Sequence, residues 1–204
     1  MVTLKICKVE GCNCKVHGKG YCNRHYRQFK RYGEIRRTRQ DSNEIIIHGG
    51  YAEIILYDNN CKEIDRCKID IEDVEKVKGY KWSKDNYGYC VHTNLNIKLH
   101  RYIMNCPEDM VVDHINHDTL DNRKENLRIC TKKQNERNIK LRSNNVSGYT
   151  GVGFHKETNK WRAYIQKDNK LITLGLFKNK KDAIKARKEA EKKYFGEFRN
   201  KYDN

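Results

Sequence analysis

Metal-ligand residues crowd the start of this chain and limit how that segment can fold. The spacing Cys7-x4-Cys12-x9-Cys22-x2-His25 supplies the ligand types and close pairing of a tetrahedral zinc site. A segment this short has almost no other way to fold, because it buries little apolar surface. We therefore expect a structural Zn²⁺ held by Cys7, Cys12, Cys22 and His25, with Cys14 or, less well, His17 as a substitute ligand.

The other cysteines are scattered singly and lack paired metal spacing. We expect small core residues at Cys61, Cys67, Cys90, Cys106 and Cys130, although a second zinc site built from distant cysteines stays open. No stretch approaches the roughly 18 apolar residues of a membrane span, and the N-terminus lacks the apolar core of a secretory signal. The expected setting is intracellular and cytoplasmic, in a bacterial or phage-infected cell, without a membrane partner.

Positive charge is the main bulk property, since 43 Lys and Arg stand against 27 Asp and Glu and give a formal net charge of +16. Hydrophobic residues still make up 37% of the chain, which indicates a folded protein. A strong positive field favours polyanions through counterion release, but it does not separate DNA from RNA or an acidic membrane. Binding to a polyanion is therefore the first functional expectation.

Changes in composition predict an α+β protein with three domains. Residues 1–40 are the zinc module and a basic connector, residues 41–140 the central domain, and residues 141–204 a small C-terminal domain, with a polar linker over residues 138–151. The basic connector has interleaved aromatic residues and can lie along phosphates.

Hydrophobic patterns predict the elements within these domains. Residues 43–57 hold two β-rich runs around His48-Gly49-Gly50, which predict a hairpin, and residues 69–82 predict a short helix closed by Gly79. The C-terminal domain is expected to contain three short strands and then a basic helix, over residues 151–156, 161–167, 170–177 and 180–195.

The most informative stretch runs from Asp113 to Asn135 and reads as strand, polar loop, strand and helix. Thr131 and Gln134 have the spacing of a capping box, so Thr131 is expected to cap a helix with Asn135 in its first turn. That geometry can bring Asn135 back beside the Asp113-His114 pair.

These side chains suit the hydrolysis of a phosphodiester bond. The reaction needs a base to activate water and a cation to offset the charge that builds on the phosphate and the departing oxygen. His114 can be the base, while Asp113 and Asn135 offer oxygen ligands that suit Mg²⁺ or Mn²⁺. Asn126 begins the second strand, where it can hydrogen-bond across the loop and hold the His114 backbone and ring.

At these positions the chain resembles the HNH endonucleases, in particular the phage and intron-encoded homing type with its ββα-metal motif. The resemblance covers roughly residues 43–140 and includes the upstream sequence LHRYIMN. It implies Asp113 and Asn135 as metal ligands, His114 as the general base and Asn126 as the middle asparagine. His117 fits the spacing less well and is expected to be exposed or near DNA, while His100 is expected to pack or hydrogen-bond.

The flanking segments resemble DNA-binding modules. The sequence KGYCNRHYRQFKRYG resembles small zinc fingers that precede HNH domains in phage proteins, which implies DNA contact by the basic residues after His25. Residues 147–198 resemble the AP2 domain through YTGV, WRAYI, LGLF and the helix that follows. The outward face of that sheet would contact DNA through His155, Lys156, Arg162, Tyr164, Gln166 and Thr173. It lacks the Arg and Trp of plant AP2 factors, so a GC-rich target preference does not carry over.

These features together favour a site-specific endonuclease or nickase of the homing type that acts on double-stranded DNA. It would use Mg²⁺ or Mn²⁺ for catalysis, Zn²⁺ for structure and no small-molecule cofactor. The alternatives are a non-catalytic DNA-binding regulator that retains the HNH fold and an RNA nuclease or RNA-binding protein. For the flanking modules, the alternatives are a zinc staple that only orders the N-terminus and a sheet that binds a protein partner.

Overall fold

The computed structural model describes residues 5–9, 12, 14–39, 41–138, 141 and 145–201. Helices and small antiparallel sheets alternate along the chain, which confirms the α+β class. Across these described ranges, no helix has the length and apolar character needed to cross a bilayer. Within the predicted linker, Lys140 and Arg142 lie outside the described residues.

Helix α1 (Asn23–Tyr32) organises the N-terminal segment. It follows directly on Cys22, so His25 lies in its first turn, and Gly33 ends it in the left-handed conformation at φ 74°. Before the helix, the backbone folds back on itself through isolated bridges between Ile6 and Lys15 and between Gly18 and Tyr21.

Strands β1 (Ile45–Ile47), β2 (Ala52–Tyr57) and β3 (Glu63–Ile69) form an antiparallel sheet in that order. The predicted hairpin between β1 and β2 is confirmed, and the His48 N–H closes its turn by donating to the Tyr51 carbonyl at 2.8 Å. This sheet supplies about half of the central core, whose buried members are Ala52, Ile54, Leu56, Cys67, Ile69, Val77, Trp82, Cys90, Leu99 and Ile103.

The helix predicted over residues 69–82 is shorter than expected. A 3-10 turn (Ile71–Asp73) leads into helix α2 (Val74–Val77), which ends before Gly79. The buried Trp82 indole donates to the Val77 carbonyl at 3.0 Å, and this contact turns the chain into the core instead of extending the helix.

A second small sheet leads into the candidate site. Strands β4 (Ser83–Lys84), β5 (Cys90–His92) and β6 (Ile97–Lys98) pair in order, and helix α3 (Leu99–Ile103) continues directly from β6. The buried face of α3 carries His100 together with core residues.

Strands β7 (Val111–His114) and β8 (Leu127–Cys130) pair antiparallel, with His114 opposite Leu127. Helix α4 (Lys132–Asn135) follows, and the predicted capping box is confirmed. The Thr131 hydroxyl accepts from the Gln134 N–H at 3.2 Å, while the Gln134 side chain accepts from the Thr131 N–H at 2.8 Å.

The cysteine expectation is correct for Cys67, Cys90 and Cys130, which are buried, and wrong for two others. Cys61 is only partly buried because it lies in the turn between β2 and β3 at φ 63°. Cys106 is partly buried because it follows α3 in a surface loop.

In the C-terminal segment, strands β9 (Val152–His155), β10 (Lys160–Lys167) and β11 (Lys170–Phe177) form an antiparallel sheet with β10 in the middle. Helix α5 (Lys180–Phe195) packs on one face. Ala163 and Ile165 are buried on that face while Tyr164 between them is exposed, as the strand alternation predicts.

Candidate functional site

Asn126 cross-links the loop that joins β7 to β8. Its side-chain oxygen accepts from the Asn116 N–H at 2.9 Å, and its amide donates to the Asp121 carbonyl at 2.8 Å. Its backbone carbonyl accepts from the Ile115 N–H at 2.8 Å. These bonds hold the backbone that follows His114. The hydrogen bond expected between Asn126 and the His114 ring comes from Asn122 instead.

Asp113 is buried, with 6% exposure, and two neighbours hold its carboxylate. Arg128 donates to Oδ2 through Nε at 2.8 Å and Nη2 at 2.5 Å. The Asn138 amide donates to both oxygens at 3.0 Å. Three of these four bonds fall on Oδ2, so Oδ1, which accepts only from Asn138 here, is the oxygen with a lone pair left for a cation.

The two asparagines of the final helical segment lie in different surroundings. Asn135 is the last residue of α4, a helix in contact with β7, and it is exposed. Asn138 ends a 3-10 turn that continues α4, is 5% exposed and bonds Asp113 directly. The structure therefore adds Asn138 as the residue of this segment that holds the Asp113 carboxylate.

His114 lies among aromatic rings. The His100 ring meets it edge-on, with centroids 5.0 Å apart and an angle of 86°, and the Tyr89 ring lies at 5.9 Å. Burial lowers the pKa of His114, although the Asn122 hydrogen bond and the Asp113 carboxylate act in the opposite direction. The lowered pKa favours the neutral imidazole, which is the form that can accept a proton from water.

Two further histidines, His100 and His117, lie near the candidate site. Burial lowers the pKa of His100 to about 3, helped by the neighbouring His114, so this ring stays neutral and packs against the candidate base. His117 was expected to be exposed or near DNA; exposure is wrong, while proximity to DNA stays a prediction. At φ 64° it turns back into the loop, is partly buried, and its Nε2 lies 2.9 Å from the Asn138 side-chain oxygen.

A second cluster lies at the start of α1, where the ligand atoms of Cys7, Cys12, Cys22 and His25 all lie within 4.8 Å of one another. The Cys12 and Cys22 sulfurs are 3.9 Å apart, and His25 Nδ1 is 3.2 Å from the Cys7 sulfur and 3.5 Å from the Cys22 sulfur. A tetrahedral zinc site with Zn–S of about 2.3 Å and Zn–N of about 2.0 Å has edges of roughly 3.5–3.8 Å. The cluster matches this size, and Cys14, the substitute ligand, is exposed.

The thiols of this cluster resist ionising together. Burial raises the pKa of Cys7, but hydrogen bonds from the Val9 and Cys22 backbone and from His25 outweigh it and lower that pKa to about 6. The pKa of Cys12 is raised to about 11, because burial and the neighbouring Cys22 and Cys7 thiols outweigh a backbone bond from Cys14. A soft cation between the sulfurs would remove this conflict, since zinc binds thiolates.

Basic side chains surround the connector after the cluster. Basic residues of α1 and the following turn line an open groove, with Arg27, Lys30, Arg31 and Arg36 exposed and Arg24 and Arg37 partly buried. Arg24 also pairs with Asp41 at 2.6 Å, which ties the end of this groove to the central unit.

The sheet face opposite α5 carries the residues predicted to contact DNA except Lys156, which lies in the 3-10 turn after β9. Lys156, Tyr164, Gln166 and Thr173 are exposed, while His155 and Arg162 are partly buried. Arg162 donates to the Thr173 hydroxyl at 3.1 Å, and its guanidinium lies 5.5 Å from the centre of the Tyr164 ring. The face is polar and aromatic, with Leu171 and Leu176 also exposed.

Three site residues were missed from the sequence, namely Asn122, Arg128 and Asn138. Arg128 lies opposite Asp113 in the register of β7 and β8, so a correct strand alignment would have found it. Asn122 and Asn138 leave no comparable signal, because their contacts depend on how the loop and the 3-10 turn fold back.

Comparison with known proteins finds HNH endonucleases similar to this chain. Residues 105–137 match the HNH endonuclease family. The chain is 32% identical over 129 residues to Uncharacterized HNH endonuclease L560 of Acanthamoeba polyphaga mimivirus, a match that covers 60% of this chain and 66% of that protein. It is 33% identical over 64 residues to Protein 3.8 of Escherichia phage T7, covering 31% of this chain and 53% of that protein. The chain thus spans just under two thirds of the length of the first relative and about half of the length of the second. No solved structure matches it.

Proposed function

We propose, from the HNH endonuclease domain that this chain contains, that the protein hydrolyses phosphodiester bonds of double-stranded DNA. The observation that carries the proposal is the buried Asp113-His114 pair at the end of β7, followed by a loop that Asn126 cross-links. This pair lies within the segment that matches the family. We further propose a site-specific, homing-type nuclease or nickase.

In this mechanism His114 accepts a proton from the attacking water, and the aromatic rings around it limit its motion. Asp113 and Asn135 would hold a divalent Mg²⁺ or Mn²⁺, which when bound offsets negative charge on the phosphate. The donor set fits, because Oδ1 of Asp113 accepts one hydrogen bond and keeps a lone pair, and Asn135 is exposed on a helix that contacts β7. Arg128 and Asn138 hold the carboxylate in place.

The flanking modules would hold the DNA. In the division into residues 1–40, 41–140 and 141–204, the first module carries a structural Zn²⁺ on Cys7, Cys12, Cys22 and His25, supported by the size of the cluster. The basic groove after it suits phosphates. The AP2-like sheet would contact the duplex through its exposed face, which includes Tyr164, Gln166 and Thr173.

The test is cleavage of randomised duplex DNA in Mg²⁺, with mapping of the new ends. His114→Ala should lower the cleavage rate at least about 100-fold, as expected for loss of a general base. The matched control is His48→Ala, which removes a histidine from the β1–β2 turn and should cleave like the unmutated chain.

Equal cleavage by His114→Ala and the unmutated chain would remove His114 from the mechanism. Unchanged cleavage in EDTA would remove the metal. A gel shift without new ends in any sample would favour the DNA-binding regulator, and preferential cleavage of structured RNA would favour the RNA nuclease.

A further inference from the structure

Asn122 is fully buried in the loop beside the candidate base, and its side chain has three neighbours. Its amide nitrogen lies 3.3 Å from the Thr119 carbonyl oxygen and 3.0 Å from the Cys67 sulfur. Its side-chain oxygen lies 3.4 Å from Nε2 of His114.

The Thr119 contact decides which way the amide points. A backbone carbonyl can only accept a hydrogen bond, so the group facing it must be the NH₂ of Asn122. The reversed amide would place its oxygen against the Thr119 carbonyl oxygen, which is two acceptors in contact without a donor. The Asn122 oxygen therefore faces His114, and an amide oxygen can only accept.

The backbone around Asn122 is held by strand β3. The Asn122 N–H donates to the Lys68 carbonyl at 2.8 Å, and the Lys68 N–H donates to the Leu120 carbonyl at 2.8 Å. Cys67, next along β3, is fully buried behind the amide. The sheet of the central unit thus sets the position of the Asn122 oxygen relative to the His114 ring.

We infer that Asn122 is a positioning residue that selects one tautomer of His114, with the proton on Nε2 and the lone pair on Nδ1. Nδ1 is then the atom that accepts the proton from water, and this step rests on the proposed function. The tautomer itself does not, because it follows from hydrogen bonding within the folded chain.

The direct test is nitrogen-15 NMR of the full chain labelled in histidine, at about pH 8 where neutral imidazole predominates. Comparison with His114→Gln assigns the signals. In the unmutated chain the His114 Nε2 signal should be of the protonated type and the Nδ1 signal of the unprotonated type. A predominant Nδ1–H tautomer would overturn the inference.

Two variants separate positioning from general packing. Asn122→Ala should give a mixture of tautomers, and it should lower kcat by about 10- to 100-fold with little change in KM for DNA. Cys67→Ala alters the same buried spot but keeps the Thr119 carbonyl, so it should keep the Nε2–H tautomer. A change of tautomer in Cys67→Ala but not in Asn122→Ala would contradict the inference.

If Asn122→Ala does not fold, Asn122→Asp serves in its place, because a carboxylate still accepts from Nε2–H. It should keep the tautomer, and a switch to Nδ1–H in this variant would count against the inference. An unmutated chain with the Nε2–H tautomer but without cleavage would disprove the proposed function alone.

Discussion

Asn138 and Asn135 lie three positions apart in the chain, but mutation should affect different properties. We expect changes at Asn138 to lower stability and changes at Asn135 to weaken the metal dependence of cleavage. Removing the Asn138 amide leaves the buried Asp113 carboxylate with fewer donors and also removes the oxygen that lies 2.9 Å from His117 Nε2. Asn138→Ala should lower the free energy of unfolding by about 1–3 kcal/mol, as measured by chemical denaturation.

Asn135→Ala is the matched control, because Asn135 is exposed. Its effect on stability should stay within about 0.5 kcal/mol, while the divalent-metal dependence of cleavage weakens. Equal losses of stability in the two variants, or a metal dependence that follows Asn138 instead, would contradict the assignment.

The segment that carries these two asparagines shows which local features can be predicted from single residues of the sequence. The capping box at Thr131 and Gln134 correctly predicts where α4 begins, because it depends only on neighbours in the chain. The change from α4 to a 3-10 turn over Glu136–Asn138 has no such local cue. That change determines which asparagine faces Asp113.

At the scale of elements, the N-terminal cluster should depend on its metal. Cys12→Ser removes a sulfur that lies 3.9 Å from the Cys22 sulfur, so one equivalent of bound zinc should be lost, as measured by elemental analysis of the purified chain. Cys14→Ser is the control, because Cys14 is exposed, and it should keep the zinc. Loss of zinc from Cys14→Ser, with zinc retained in Cys12→Ser, would show that Cys14 rather than Cys12 is the ligand.

The C-terminal sheet depends on one close approach. Gly151 has φ 75°, and a Cβ there would lie 2.5 Å from both the Tyr164 carbonyl and Nη1 of Arg187. Arg187 is buried and pairs with Glu191 at 2.7 Å beneath this point. Gly151→Ala should therefore lower the free energy of unfolding by about 2 kcal/mol or more.

Gly153→Ala, two residues further along in β9, is the control, because a Cβ there meets nothing within 4 Å. Its unfolding curve should match that of the unmutated chain, and equal destabilisation of both variants would show that the close approach is not the cause.

The elements of this domain were largely predictable, because alternation and helical periodicity are local. The predicted helix over residues 180–195 agrees with Lys180–Phe195. The bounds of the three predicted strands each lie within one residue of the observed bounds. The register shift between Ala163 and Tyr164 has no local signal in the sequence, and it lies where Arg187 of the distant helix α5 donates to the Tyr164 carbonyl.

At the scale of the whole molecule, the C-terminal segment reaches the candidate site through Arg128. This side chain holds Asp113, donates to the Glu197 carbonyl and lies 5.0 Å from the centre of the Phe198 ring. Arg137, just after α4, lies 5.0 Å from the centre of the Phe195 ring. The end of α5 therefore packs beside the elements that carry the site, a contact between distant segments that the sequence alone did not reveal.

The net charge of +16 predicts how the molecule holds its substrate. Binding to phosphates releases counterions, so the logarithm of the binding constant should fall linearly with the logarithm of salt concentration, with a slope of about 0.9 per phosphate neutralised. Arg27 and Arg31 line the basic groove of α1 and are exposed. Arg27→Ala and Arg31→Ala should each weaken binding about equally on all DNA sequences and reduce the slope by about one.

The measurement is fluorescence anisotropy of labelled duplex DNA over a series of salt concentrations, in Ca²⁺ rather than Mg²⁺ to limit cleavage. Lys78→Ala is the control, because Lys78, just after α2, lies outside the groove and pairs with Glu75 at 2.5 Å. If all three variants keep the salt slope of the unmutated chain, the groove of α1 does not lie along the DNA. The positive field must then act through the central domain and the C-terminal sheet.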